Sequence, residues 1–387
     1  MRKGWEYKKL GEVCEVVTGT TPKTNIPEYW GKGHYWVTPA ELNDTTVYID
    51  KTERQITDEA LSKTKLRLLP VGTVLLSSRA PIGKVAIANA EMYCNQGFKN
   101  CICSEAIYNK YLFYFLRLKK DYLNSLGRGA TFKEISKSIV ESIKIPLPPK
   151  STQLAIVSEL DKINELIRLK KEQLKDFDNL AQSLFYEMFG DPVENEKGWE
   201  VKTFGEIGSV ERGAGISKKD FVKEGLPCIH YGQLHTILGP RTTKHFTSIP
   251  HNLLPKYKIA HTGDLVMAIT SEDVEGSCKS TVWLGDYDII VGSDAAIFHH
   301  KQDGTFLSYY TMTKAFFNEK AKYAKGFKVT HISAKEIEKI PVYLPPLSLQ
   351  RLFAQRIEQI EREKSEVQKS IQDLETLQAS RMQYWFE

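Results

Sequence analysis

The chain contains the same pattern twice. GWEYKKLGEV at Gly4 to Val13 returns as GWEVKTFGEI at Gly198 to Ile207, 194 residues later. GRGATFKEISKSIVESIKIPLPPKSTQ at Gly127 to Gln153 returns in altered form as AKGFKVTHISAKEIEKIPVYLPPLSLQ at Ala324 to Gln350, 197 residues later. Each copy then runs into a long charged stretch of helical period. A duplication on this scale predicts two similar lobes related by a pseudo-twofold. The change in offset requires small insertions between the repeated ends.

At 387 residues the chain is too long for one ordinary core and suits two domains. Charged residues make up 26% and hydrophobic ones 41%, ordinary usage for a globular protein. There is no apolar run of membrane-spanning length, and MRKGWEYKKLGEV lacks the apolar stretch of a secretory signal, so a cytoplasmic location and no membrane partner are expected. Cys14, Cys94, Cys101, Cys103, Cys228 and Cys278 show no Cys-x-x-Cys spacing and read as reduced, mostly buried thiols. The formal charge of +5 permits a nucleic-acid partner without requiring one.

Between the repeated ends the pattern is strand-rich. VGTVLLSSR (Val71 to Arg79), KVAIA (Lys84 to Ala88) and NCIC (Asn100 to Cys103) are short apolar runs bounded by turn residues, followed by one helix from Tyr108 to Leu126. The second copy repeats the plan with HTGDLVMAIT (His261 to Thr270), DIIV (Asp288 to Val291), AAIF (Ala295 to Phe298) and a helix from Phe306 to Ala324. The fold class is therefore α+β. Gly129 and Gly326 read as turns.

After each Leu-Pro-Pro a seam appears: Leu160, Ile163, Ile167, Leu174, Phe177, Leu184 and Met188 in one stretch, and Ile357, Ile360, Val367, Ile371, Leu374 and Trp385 in the other. Pro148-Pro149 and Pro345-Pro346 mark the helix starts, with Ser151 and Ser348 as expected N-caps, and Gly190 and Pro192 stop the first helix. Each helix would run about 38 residues, roughly 55 to 60 Å. One amphipathic helix of that length cannot keep its seam in water. The two either pair with each other as an antiparallel coiled coil separating the lobes or fold back on their own lobes, and pairing is the more economical. The expected layout is a lobe at 1–150, a helix at 151–190, a linker at 191–197, a lobe at 198–347 and a helix at 348–387.

No phosphate-binding loop, adenine-methyltransferase Asn-Pro-Pro-aromatic motif or nuclease carboxylate cluster is present. Gly127/Gly129 and Gly213/Gly215 do not complete a dinucleotide fingerprint, and Cys228, His230 and His235 fit no common zinc spacing, so neither a cofactor nor a metal is expected. What remains is a set of basic, amide and aromatic side chains in loops. In the first lobe these are Lys23, Lys32, His34, Tyr35, Arg79, Lys84, Asn95, Gln96, Lys99, Arg128 and Lys133. In the second they are Arg212, Lys218, Lys219, His230, Tyr231, Gln233, Arg241, Lys244, His245, Lys279, Lys325 and Lys328. Lys and Arg hold phosphates, while Arg, Asn, Gln and His read base edges; Arg79 and Gln96 are the expected groove contacts of the first lobe. No counterpart of Arg79 is evident in the second, where KSTVWLGD stands against the SRAPIGK loop.

The order GWE-x-x-x-x-GE, variable lobe, IPLPPKSTQ (Ile145 to Gln153), long helix, then the same again with PVYLPPLSLQ (Pro341 to Gln350), resembles the specificity subunit of type I restriction-modification systems over essentially the full chain. The resemblance implies that each lobe is a target-recognition domain reading half of a bipartite sequence in double-stranded DNA. It implies helices that set the gap and dock two methyltransferase subunits, through which restriction subunits join. S-adenosylmethionine, ATP and Mg2+ would then belong to those partners, and this chain would be non-catalytic. A two-lobed protein-binding scaffold, a DNA-binding regulator and half of a fused restriction enzyme are the alternatives. A four-residue insertion near Lys170 adds about 6 Å of helix, close to two base pairs at about 3.4 Å each, and places a stutter in the seam. The expected outcome, read by mapping methylated sites, is a gap longer by about one or two base pairs with both half-sites unchanged; the original gap would rule out a spacing role for the helix.

Overall fold

The computed structural model describes residues 5–79, 81–129, 133–213, 215–216, 218–251, 257–326 and 329–387. It divides into two compact units, Met1–Lys171 with Lys369–Glu387, and Glu172–Gln368. The division cuts both long helices, where whole helices were expected to stand apart from the lobes.

In each unit the two repeated motifs are one device. Glu6–Lys9 pairs antiparallel with Lys144–Leu147, Glu6 opposite Leu147, and Glu200–Thr203 pairs with Pro341–Leu344, Glu200 opposite Leu344. The GWE strand therefore zips onto the strand before Pro-Pro and closes the lobe. The glutamate of each Gly-Glu turns back on its own strand: Lys9 N donates to Glu12 at 2.8 Å and Thr203 N to Glu206 at 2.6 Å. A Cβ at Gly11 would stand 3.0 Å from Glu141 Cβ, and one at Gly205 3.2 Å from Glu338 Cβ, so both glycines allow a close approach.

The sheets between these ends are copies too. The first unit orders five strands as Cys14–Thr18, Lys99–Cys103, Val74–Leu76, Val85–Ala88 and Tyr48–Ile49; the second orders Gly208–Arg212, Ala295–His300, Leu265–Ala268, Ser280–Trp283 and Arg241–Thr242. Both are antiparallel until the last pair, which is parallel. A smaller sheet lies beside each, three-stranded around Trp30–Val37 and four-stranded around Leu226–Ile229. The helix expected at Tyr108 to Leu126 is two, Asn109–Leu118 and Lys120–Ser125, broken at Lys119 where ψ reaches 14°. Its counterpart is also two, Gly304–Tyr310 and Lys314–Ala321, because the Thr313 hydroxyl caps a new start by accepting from Phe316 N.

The long helices are Lys150–Phe189 and Leu347–Phe386, 40 residues each. Ser151 and Ser348 lie inside them and cap nothing. The first helical bonds instead end on the Pro149 and Pro346 carbonyls, since proline at that place needs no N–H. The glutamine four residues on does the tying. Gln153 Oε1 accepts from Tyr108 N at 2.8 Å while its amide donates to the Ala106 and Pro148 carbonyls, and Gln350 does the same with Asp303 N, Gln302 Oε1 and the Pro345 carbonyl.

Within the first unit the helices run antiparallel. Glu159 accepts from Arg381 and from Trp385, Asn164 from Gln378 at 2.6 Å, and Lys171 pairs with Glu375 at 2.8 Å. Within the second, Asp178 pairs with Lys364 at 2.8 Å and Phe185 meets Phe353. Of the expected seam, Leu160, Ile163, Ile167, Leu184, Met188, Ile357, Ile360, Val367 and Ile371 are buried; Leu174, Phe177, Leu374 and Trp385 are partly so. Pairing does not exclude folding onto a lobe. Ile156, Val157 and Leu160 join the first lobe's core, as does Phe386 from the second helix; Phe353 and Ile357 join the second lobe's core, as do Phe185 and Phe189 from the first helix.

The stretch 191–197, expected as a plain linker, is a built turn. Gly190 takes φ +77°, Lys197 Nζ caps the Glu187 and Met188 carbonyls, and Trp199 Nε1 donates to Phe189 O at 2.8 Å.

Phe386 touches Tyr111 and Phe115, and Phe189 touches Phe306 and Phe353. Truncating a buried Phe to Ala costs about 3 to 5 kcal/mol. Phe386→Ala should raise amide exchange in Asn109–Leu118 and leave Gly304–Tyr310 unchanged, and Phe189→Ala should do the reverse. Equal loosening of both helices by either variant would mean that these rings do not complete separate cores.

Candidate nucleic-acid interface

Two backbone loops converge at the same place in each lobe. In the first, Ile135 N donates to Ser78 O at 2.9 Å and Ser78 N to Gly97 O at 2.7 Å; in the second, Ile332 N donates to Ile269 O at 3.0 Å and Ile269 N to Asp294 O at 3.0 Å. Arg128 and Glu134 exchange backbone bonds with Gly129, at φ +127°, between them, and Lys325 and His331 do so with Gly326, at φ +112°, between them. Arg79 bridges Glu134, and Thr270 pairs with His331. The counterpart of Arg79 is thus Thr270. The KSTVWLGD segment compared with the Arg79 loop instead supplies Ser280–Trp283, which holds the place in its sheet that Val85–Ala88 holds in the other.

On this shared backbone the side chains differ. Glu134 accepts from Arg79 Nε at 2.9 Å with one oxygen and from Lys99 Nζ at 3.0 Å with the other. Lys99 also donates to Ser78 Oγ. Partial burial pushes the Glu134 carboxyl up, and the bonds from Lys99 and Arg79 outweigh it, leaving Glu134 below the usual carboxylate range. In the second lobe the Thr270 hydroxyl meets His331 Nδ1 at 3.2 Å and Asp294 at 3.4 Å.

Of the other first-lobe candidates, Gln96 is exposed and accepts from the Thr21 hydroxyl, and Asn95 turns the backbone by accepting from Gly97 N. Lys84 donates to Pro39 O, His34 meets Asp58 at 2.8 Å, and Tyr35 is half-buried. Lys23, Lys32, Arg128 and Lys133 are exposed. Lys99 is a correction: its side chain is 6% exposed and spent on Glu134 and Ser78, so it is structural rather than a groove contact.

In the second lobe a cleft of about 1120 Å³ is lined by Tyr231, His235, Thr270, Asp273, Lys279 and Lys320 among others. Among the described residues, Tyr231 and Lys279 are the candidates that line it. Lys320, not a candidate, is buried there, and its Nζ holds the Glu275 and Ser277 carbonyls; burial pushes its pKa down. Gln233 is the second correction, buried at 4% with its carbonyl accepting from His230 N. His230 caps the following helix through Nδ1, and burial pushes its pKa down. Arg212 donates to Ser293 O, Lys325 pairs with Glu336, and His245 meets Tyr287. Lys218, Lys219 and Lys244 are exposed, and Arg241 is half-buried in its strand. Lys328 lies outside the described residues. Sequence reasoning missed Glu134 because it sought basic, amide and aromatic side chains, and it left out His331 although histidine was among the types sought; the repeat KEIS/THIS, which aligns them, was the available signal.

The model of the type I restriction modification DNA specificity domain matches residues 2–176 and again 196–376, and the chain belongs to that family. It is 37% identical over 255 residues to the type I restriction enzyme MjaIX specificity subunit of Methanocaldococcus jannaschii, an alignment covering 61% of this chain and 59% of that one. It is 32% identical over 168 residues to the EcoR124I/EcoR124II specificity subunit of Escherichia coli, covering 42% and 41%. The chain thus spans about three-fifths of the first relative and two-fifths of the second. A solved chain from work on complex assembly and conformational transition of the type I R-M system superposes with a TM-score of 0.65 at 20% identity, covering 99% of this chain and 97% of that one. The HsdS subunit from Thermoanaerobacter tengcongensis does so with 0.50 at 21%, covering 100% and 97%.

Below the convergence point of the second lobe, Glu336 takes a bond from Lys325 and two from Ser333, which hold its carboxyl down at about 2 against 4.5 for a free one. A lowered folded pKa gives stability that is present above the unfolded value and lost as pH falls toward the folded one. The first lobe has Ile139 at the matching place, 197 residues earlier. The melting advantage of the native chain over Glu336→Gln should therefore shrink as pH drops from 5 toward 2.5; an advantage independent of pH would show that the ionised carboxylate is not the source.

Proposed function

We propose that this chain is the DNA-recognition subunit of a type I restriction-modification assembly in the cytoplasm, each lobe reading one half of a bipartite duplex sequence. The observation that carries this reading is one backbone scaffold built twice with different side chains at the same point, Arg79 and Glu134 against Thr270 and His331. Two readers of different half-sites need that combination, whereas a symmetric scaffold for identical partners would have no reason to diverge there. Exposed Lys and Arg around the loops neutralise phosphates, and a smaller set of forked or amide side chains reads base edges.

The chain itself is non-catalytic in this reading. Methyl transfer and DNA translocation belong to two methyltransferase subunits and to restriction subunits, which bring S-adenosylmethionine, ATP and Mg2+. The paired helices set the unread gap and offer the docking surface.

The test is modular exchange. With its methyltransferase partner present, replacing Gly4 to Pro149 by the matching lobe of a related subunit should change one half-site in the methylated sequence and leave the other as it was. A folded hybrid that altered both half-sites, or native chain that directed no sequence-specific methylation, would overturn the reading.

A further inference from the structure

Arg79 shares its carboxylate partner with a buried lysine. Its Nε is committed to Glu134 at 2.9 Å, and the other oxygen of that carboxylate is committed to Lys99, whose side chain is 6% exposed. Two cations therefore face one carboxylate, and the cluster keeps a net positive charge. Guanidinium has five donors in a rigid plane. Binding at Nε fixes the plane and leaves the two terminal amino groups, the fork that matches the O6 and N7 acceptors of guanine. Among the described residues no acceptor takes those amino groups, and the Arg79 side chain is 45% exposed.

The backbone frame is independent of this chemistry. The bonds Ile135 N to Ser78 O and Arg128 N to Glu134 O recur as Ile332 N to Ile269 O and Lys325 N to His331 O, all between 2.9 and 3.2 Å. The frame thus presents position 79 with 134 in one lobe and position 270 with 331 in the other. The second lobe puts a hydroxyl and an imidazole there, at 3.2 Å from each other, with no fork.

We infer that residues 79 and 134, and their counterparts 270 and 331, form one homologous specificity-determining position, with Glu134 the positioning residue that orients Arg79 for a guanine of the first half-site. This inference rests on the recognition reading above and adds to it the residue pair and the base. A phosphate contact, which the guanidinium fork also suits, would weaken binding to all duplexes alike when lost, whereas a guanine contact is read as discrimination at one base pair.

The experiment uses the full chain assembled with its methyltransferase partner and a set of duplexes substituted at each base pair of the native site. Arg79→Lys keeps the charge and loses the fork. It should lose about tenfold or more of the discrimination at one G·C pair of the first half-site, while binding to unrelated duplex, its salt dependence and the second half-site stay as they were. Glu134→Gln should erode discrimination at that same base pair. Because it also leaves Lys99 without its carboxylate, its melting temperature is recorded alongside, and Arg79→Lys, which does not touch Lys99, decides the matter if Glu134→Gln unfolds. Thr270→Ala should change preference in the second half-site only. If Arg79→Lys retained full discrimination at every position while the native assembly read a bipartite site, the inference would fail and the recognition reading would stand. A native assembly with no preferred site would sink the recognition reading itself.

Discussion

The structure depends on a helix that cannot be left alone. Forty residues with an apolar seam need a covering surface along their whole length. Each unit supplies it from two sources: the antiparallel stretch of the other helix, and the lobe's own aromatic helices. The ends are aromatic for that reason. Phe189 and Phe386 stand 197 residues apart, at the repeat offset, and each fills a core whose remaining residues come mainly from the other half of the sequence. Neither half of the chain therefore contains a complete core. That is why division into compact units falls inside the helices, at 171 and 368, rather than at their ends.

The same logic explains which residues the duplication kept. A glutamine side chain can take one N–H and give two, and Gln153 and Gln350 do both, fully buried, at the junction of lobe and helix. A glutamate there would bring a charge and lose both donors, leaving two carbonyls unsatisfied out of water. The Pro-Pro before each supplies a carbonyl that starts the helix and asks for no N–H.

Much of this was legible because it is periodic or repeated. The duplicated ends, the strands around Val74, Val85, Leu265 and Ala295, and the antiparallel seam follow from pattern alone. The helix caps did not, since Ser151 and Ser348 are good N-cap types that lie two residues too late; the first helical bonds end on a proline carbonyl, a group that every residue possesses. The break at Lys119 had no marker, for no glycine or proline stands there. Among the candidate contacts, Lys99 and Gln233 were drawn in by residue type, and burial removes them because a long polar side chain inside a lobe is spent on its neighbours. Glu134 was passed over since an anion reads as a liability in a search for phosphate-holding cations until its two cations are seen.

Where the lobes differ and where they agree is decided by which atoms make the contact. The bonds that join 78 to 135 and 269 to 332 are main chain to main chain, indifferent to side-chain identity. The chain can therefore put arginine, threonine, glutamate or histidine at 79, 270, 134 and 331 without disturbing the frame. At 153 and 350 the contact is made by the side chain itself, and only an amide meets it. A frame built twice with different chemistry at one point needs both kinds of place. The fixed amides hold helix to lobe so that the frame is the same in each copy, and the frame in turn makes a change of side chain a change of chemistry at one point rather than a change of shape.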